Sequence, residues 1–157
     1  MNWTEFGPAA RRYPAPDFRL TAPDGTTVTR SQFRHAHPLV LIFVNDPGAP
    51  QALELLRNVD SRGEEFAQIG AQVYAVSPVP APIPVQLPIL ADPDNATRQD
   101  YLDLFPDGER PAGAEIVIVI LDRYGTPGAA GSGLSAGEPT VDEMLAWVWG
   151  LELECPE

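Results

Sequence analysis

The residues with the clearest chemical arrangement lie where the first long apolar segment meets the first long helical pattern. This junction, residues 45–51, reads Asn-Asp-Pro-Gly-Ala-Pro-Gln and separates the apolar run 39–44 from the helical stretch 52–69. The start of a helix can activate a thiolate, because its N–H groups are unpaired and its dipole is positive there. The junction contains no cysteine, so it is suited to thiol chemistry but carries no thiol.

The only cysteine of the chain is Cys155, two residues from the end of the sequence. One cysteine excludes an intramolecular disulfide, a CxxC pair and a cysteine-based zinc site within one chain. Glutamates lie on both sides of it, and nearby carboxylates disfavour the thiolate. We predict an incidental, exposed thiol. The alternatives are a catalytic or resolving role, or an intermolecular disulfide with a partner.

Other polar motifs give weaker indications. Two histidines, His35 and His37, are predicted to be ordinary loop residues because no third ligand lies near them in the sequence. The segment 133–137 matches a nucleophile elbow, but no strand directly precedes its serine and no histidine follows it, so a loop is predicted. Asp46 is interpreted as a turn or cap residue, since a carboxylate cannot be cyclically oxidised and reduced. The sequence therefore predicts no metal and no cofactor.

Composition limits the possible partners and locations. The chain has 157 residues, a formal net charge of −12 and no lysine. A strongly acidic surface repels phosphate backbones and anionic lipid, so neither nucleic acid nor a membrane is predicted as a partner. Apolar runs are far shorter than the roughly 18 to 20 residues of a membrane span. With no signal-peptide pattern at the N-terminus, a cytoplasmic location is predicted.

The elements that must position the junction follow from hydrophobic periodicity and turn residues. We predict a single domain over 1–157 in which 1–14 form an irregular arm. Predicted strands are 17–20 and 27–29 (a hairpin), 39–44, 72–77, 87–90 and 115–121, and predicted helices are 52–69, 92–105 and one opening with a capping box at 140–143. Residues 78–86 are predicted to be extended, and 126–137 to hold at most one short edge strand. This alternation predicts an α/β protein with a mixed, largely parallel sheet covered on both faces.

Five segments together resemble the redoxins, the peroxiredoxin or AhpC/TSA branch of the thioredoxin superfamily. They are Ala15-Pro-Asp-Phe-Arg-Leu20 with Asp24-Gly-Thr-Thr-Val28, Leu39-Val-Leu-Ile-Phe43, Gly70-Ala-Gln-Val-Tyr-Ala-Val-Ser-Pro78, Leu87-Pro-Ile-Leu-Ala-Asp-Pro-Asp94 and Ile118-Val-Ile-Leu-Asp-Arg-Tyr-Gly125. The resemblance implies a thioredoxin-like fold with a mixed central sheet, helices on both faces and an N-terminal β-hairpin extension. It also implies reduction of peroxides or disulfides by a cysteine at the first core helix.

That cysteine would fall within 47–51, so the resemblance leaves a vestigial active-site loop without its sulfur. The loop comprises Asp46, Pro47, Gly48, Ala49, Pro50 and Gln51. The cis-proline or arginine that the superfamily places before its later core strand corresponds here to Ile116, with Arg110 or Arg123 as possible substitutes. In place of the family's usual helix after the second core strand, this sequence has the proline run 78–86.

Three functions remain open from the sequence. The first is a divergent member without cysteine-based peroxidase activity, an interaction or regulatory module that binds a redox protein, or itself as a homodimer, through 46–51. The helix start there would also suit a small anion or a partner's carboxylate. The second is a thiol-dependent peroxidase or disulfide oxidoreductase that uses Cys155 or a partner's thiol. The third is a small-molecule binding domain that uses a cleft beside the proline run.

Overall fold

A computed structural model describes residues 3–8, 10–79, 83–106, 108–133 and 136–153. Its centre is an eight-stranded sheet with the order β1-β8-β7-β4-β5-β6-β2-β3. The strands are β1 (Trp3–Glu5), β2 (Arg19–Thr21), β3 (Thr27–Thr29), β4 (Leu39–Val44), β5 (Gln72–Ser77), β6 (Ile89–Ala91), β7 (Ile116–Leu121) and β8 (Pro127–Ser132). The hairpin β2–β3 confirms the predicted N-terminal extension.

The sheet is mixed, as predicted, but it is not largely parallel. Among the described pairings, β4–β5 and β5–β6 are parallel, while β7 runs antiparallel to both β4 and β8. The prediction of a largely parallel sheet is wrong because a tight turn at 122–125, rather than a crossover helix, joins β7 to β8.

Helices cover both faces of the sheet. They are α1 (Pro50–Ser61), α2 (Gly63–Gln68), α3 (Ala96–Leu102) and α4 (Glu138–Leu153). Alternate residues of β4 divide the core: Val40, Ile42 and Val44 pack with α1, α2 and α4. Leu39, Leu41 and Phe43 pack on the opposite face with α3 and the hairpin. This alternation buries both faces of β4 between the two helical layers.

Three predicted helices have different bounds in the structure. The stretch 52–69 is divided at Arg62, whose backbone (φ −113°, ψ 23°) is not helical, directly before Gly63. The helix predicted over 92–105 is a 3-10 turn at Pro93–Asn95 followed by the shorter α3. The last helix begins at Glu138 rather than at the predicted capping box, and Thr140 is buried within it.

The glycine-rich segment and the N-terminal arm are more ordered than predicted. Strand β8 lies inside the sheet, between β7 and β1, so the expectation of at most a short edge strand at 126–137 is wrong. The arm is likewise not wholly irregular, since Trp3 pairs with Gly131 at the sheet edge. A Cβ at Gly128 would lie 2.4 Å from Leu151 Cδ1. The small residues of β8 therefore allow α4 to pack closely, and they hide the strand from a search for β-branched residues.

The proline-rich connection after β5 contains no helix in its described residues, 78–79 and 83–88. Two of its backbone N–H groups, those of Gln86 and Leu87, donate to the Asp60 carboxylate of α1, each at 2.9 Å. Within the described part of the chain, no helix is both long and apolar enough to cross a membrane.

Candidate functional site

The sequence junction lies at the carboxyl end of β4, beside the start of β7. Val44 pairs with Ile116, and α1 begins six residues after Val44 at Pro50. Ala49 is the N-cap residue of α1, with extended backbone angles (φ −64°, ψ 143°) and no side-chain cap. Pro50 lacks an N–H, which costs little at the first position of a helix. The positive end of the α1 dipole therefore opens toward this loop.

Asp46 folds the loop into a turn. Its Oδ1 accepts a hydrogen bond from the Gly48 N–H at 2.9 Å, and its backbone oxygen accepts one from the Ala49 N–H at 3.1 Å. The interpretation of Asp46 as a turn residue is thus confirmed. The side chain is exposed, so the same carboxylate also contributes negative charge to the surface.

Glu115 fastens this turn to the sheet. Its carboxylate accepts hydrogen bonds from Asn45 Nδ2 at 3.1 Å and from the Asp46 N–H at 3.3 Å. Its backbone oxygen accepts the Asn45 N–H at 3.3 Å. Three bonds from one residue therefore hold the loop against the start of β7.

A buried guanidinium lies behind Glu115. Arg98 of α3 is 3% exposed and donates from Nη2 to the backbone oxygen of Ala114. Its Nη1 is buried and has no hydrogen-bond partner among the described residues. Burial lowers the pKa of Arg98, while the nearby carboxylates of Glu115 and Asp92 act in the opposite direction. Arg98 thus offsets part of the negative charge that Glu115 brings to the site.

A small cleft of about 170 Å³ opens between α1 and the start of β7. It is lined by Gln51, Ala114, Glu115, Ile116 and Gly133. Its described lining includes hydrogen-bonding groups but no sulfur, hydroxyl or imidazole side chain that could act as a nucleophile. The described residues of the cleft therefore do not supply the group that attacks a peroxide.

The two arginines considered as substitutes at this site lie elsewhere. Arg110 is paired with Gln99, at 2.5 Å, and with Asp103. Arg123 lies beyond Leu121, the far end of β7, which is itself about 17 Å from Ile116 along an extended strand, and it pairs with Glu152. Among the described residues there is no cis peptide bond, so no cis-proline faces the loop either.

The remaining predicted sites are only partly described. Cys155 lies outside the described residues, as does the serine of the segment 133–137. The Nδ1 atom of His37 forms a hydrogen bond with the backbone oxygen of Gly70 at 2.9 Å, and the ring of His35 packs against Tyr124. No group of three potential metal ligands occurs in the part of the chain that the structure describes.

Sequence reasoning missed the two residues that build the back of the site. Glu115 is a single charged residue between Ala114 and the apolar strand that starts at Ile116, and this isolation was the usable signal. Arg98 gives no such signal, because a charged residue in a helical pattern is ordinarily placed on the solvent face.

Comparison with known proteins identifies the scaffold. Residues 12–123 match the AhpC/TSA family. The chain belongs to this family. No curated protein matches it.

Solved structures of similar proteins share the fold of this AhpC/TSA protein. The peroxidoxin BcpB from Mycobacterium tuberculosis is similar with a TM-score of 0.72 and 17% identity, covering 98% of this chain and 99% of that one. The reduced 2-Cys peroxiredoxin of Plasmodium vivax gives 0.72 and 18%, covering 96% and 98%. Peroxiredoxin Q of Xanthomonas campestris gives 0.67 and 19%, covering 96% of each chain. The thioredoxin-like fold is therefore confirmed.

Proposed function

We propose that this chain is a divergent peroxiredoxin-like protein without conventional cysteine-based peroxidase activity, and that it acts as an interaction or regulatory module. The observation that carries the proposal is the loop 46–51, which starts α1 without a sulfur atom in a chain that matches the family over 12–123. A thiol peroxidase needs a thiolate at that position. Asp46 cannot replace it, because a carboxylate is not cyclically oxidised and reduced.

The proposed binding surface, called the loop surface, consists of Asn45, Asp46, Gln51 and Glu115. Its hydrogen bonds to the start of β7 hold the turn in one conformation. A surface that is ordered before binding loses less conformational entropy when a partner docks. This order supports a role in binding.

The same hydrogen bonds bear on the chemistry of the partner. The N–H groups of Asp46 and Gly48 already donate to carboxylates of this chain. Fewer donors are thus left for a partner's carboxylate, and the exposed groups are mainly acceptors. The arrangement supports a partner that presents hydrogen-bond donors at the loop surface, rather than the anion expected from the helix start alone.

A second copy of the chain is the partner that we propose to test first, because arginine side chains of one copy can supply the donors that the loop surface of the other lacks. Sedimentation equilibrium at about 0.15 M salt, where the Debye length is about 8 Å and repulsion between acidic chains is screened, measures the dimer dissociation constant directly. Gln51→Arg places a long charged side chain at the cleft. The matched control is Gln68→Arg, at an exposed position of α2.

We expect a concentration-dependent dimer that Gln51→Arg weakens at least tenfold and that Gln68→Arg leaves unchanged. A monomer at every concentration, or equal effects of the two variants, would contradict self-association through the loop surface. The oxidoreductase alternative stays a prediction from the sequence, because no described residue supplies a thiol. A cytoplasmic location also stays a prediction.

A further inference from the structure

The sheet leaves an opening between β5 and the β2–β3 hairpin, away from the loop surface. Strand β6 begins only at Ile89, which pairs with Ala75, so the first half of β5 has no described strand on that side. β2 pairs with β6 at one described position, Thr21 with Ala91. The segment 85–88 crosses this opening and leaves a cavity of about 360 Å³, here called the hairpin cavity. Its volume is within the range of about 300–1,000 Å³ that is usual for small-molecule sites.

The walls of the hairpin cavity are mostly apolar. They include Val28, Tyr74, Val85, Leu87 and Pro88. The Tyr74 ring is held in place by Phe33, with ring centroids 5.8 Å apart. Burial raises the pKa of Tyr74, so the ring is a neutral phenol at neutral pH. Such a wall suits the apolar body of a ligand and offers an aromatic ring to a cation.

Among the described residues of the lining, Asp24, in the turn of the hairpin, is the single charged one. Its Oδ1 accepts hydrogen bonds from the Thr26 N–H at 2.9 Å and from the Thr26 hydroxyl at 2.6 Å. These bonds lower the pKa of Asp24, so the carboxylate is ionised at neutral pH. No basic side chain lines the cavity, and the net charge of the chain is −12. The potential there therefore favours a cation and disfavours an anion.

We propose that the hairpin cavity binds a small organic cation, an apolar body that carries an ammonium group. The body would contact Val28, Val85 and Leu87, and the ammonium group would be attracted by the Tyr74 ring and the Asp24 carboxylate. Both attractions favour a positive charge over a neutral group of the same shape. The proposal is independent of the loop surface, which lies at the other end of β4 and β5.

A matched set of probes tests the sign of the ligand charge. Two-dimensional ¹H–¹⁵N spectra of the full chain are recorded during titration with benzyltrimethylammonium chloride, benzyl alcohol or sodium benzenesulfonate at constant ionic strength. We expect saturable shifts at Thr26, Val28, Tyr74 and Val85 with the ammonium salt, at millimolar concentrations, and no saturation with the sulfonate. Equal binding of the sulfonate, or no saturable shift with the ammonium salt, would overturn the proposal.

Variants then assign the two attractive groups. Asp24→Asn should weaken ammonium binding about two- to fivefold, the loss of an exposed ion pair, while Asp100→Asn, exposed on α3, should leave it unchanged. Tyr74→Phe keeps the aromatic face and should retain the affinity within about twofold, whereas Tyr74→Leu should lose most of it. If Tyr74→Leu does not fold, the comparison of Asp24→Asn with Asp100→Asn decides. Equal affinities for Asp24→Asn and Asp100→Asn would refute the assignment.

Discussion

Two helices of this protein begin beside an aspartate, and the two aspartates differ in burial and in bonding. Asp92 is 1% exposed, and its two oxygens accept the N–H groups of Thr97 and Arg98, each at 3.0 Å, in the first turn of α3. The Asp46 side chain is exposed and accepts a hydrogen bond from Gly48 within the turn that precedes α1, whose first turn has no side-chain cap. The first turn of α3 is thus capped by a buried side chain, whereas the first turn of α1 has no side-chain cap.

This difference separates a fold-building position from a surface available for function. The capped helix start contributes stability through buried hydrogen bonds. The uncapped start forgoes that contribution and keeps the positive end of the helix dipole beside the loop surface. The loop before α1 contains no cysteine, and the start of α1 has no side-chain cap.

Replacing Asp92 should have the largest effect. Asp92→Ala leaves two buried N–H groups without acceptors and removes a counter-charge from Arg98, so we expect a loss of about 2–4 kcal/mol in the free energy of unfolding. Urea denaturation measures this loss. Asp92→Asn, which keeps one acceptor, should lose less. An Asp92→Ala variant as stable as the wild type would remove the basis of the comparison.

Tyr101, on α3, should make the protein sensitive to alkaline pH. Its hydroxyl donates to the Pro16 backbone oxygen at 2.6 Å, and burial raises its pKa well above the ordinary value. The unfolded chain loses this proton near pH 10 while the folded chain keeps it, so the associated stability is present below about pH 10 and is lost as pH rises above it. Tyr101→Phe should flatten this decline in a series of urea unfolding curves between pH 8 and 11. An unchanged slope would contradict the assignment.

Removing the bond between Glu115 and the loop should have an intermediate effect. Glu115→Ala frees the Asn45 side chain and the Asp46 N–H, both at the surface, so we expect a loss of about 1 kcal/mol. Hydrogen exchange at the Asp46 amide should become faster. Glu109→Ala, at an exposed position, is the control. Equal exchange rates in the two variants would show that Glu115 does not hold the loop.

Asp46→Ala should have the smallest effect. The substitution removes an exposed side-chain bond to Gly48 but no buried one, so the free energy of unfolding should change by about 0.5 kcal/mol or less. Differential scanning calorimetry of this variant beside Asp92→Ala gives the comparison in one experiment. Similar shifts in Tm would show that the two aspartates contribute equally to stability.

Much of the fold was predictable because its strands have strong patterns. The run 39–44 is continuously apolar, the run 72–77 has an apolar centre at 73–76, and both strands have the predicted bounds. Strand β8 was missed because Gly128 and its small neighbours pack against Leu151 of α4, a contact between distant parts of the chain that no local pattern records.

The position of the site was predictable from the sequence, but the residues that support its loop were not. The loop 46–51 lies at the predicted strand–helix junction, since a buried strand followed by a helix fixes that geometry locally. Its supports are Glu115, directly before β7, and Arg98 of α3, and Glu115 is 70 residues from Asn45 in the sequence. Such supports depend on the order and direction of strands in the sheet, which the sequence pattern predicted wrongly as largely parallel.

The central proposal is that this protein has no cysteine-based peroxidase activity. The direct measurement is consumption of hydrogen peroxide with a thiol reductant in excess, by the wild type and by Cys155→Ser. We expect both to remain at the rate of the reductant alone. Turnover well above that rate in the wild type, abolished in Cys155→Ser, would contradict the account and assign peroxidase activity to the one cysteine of the chain.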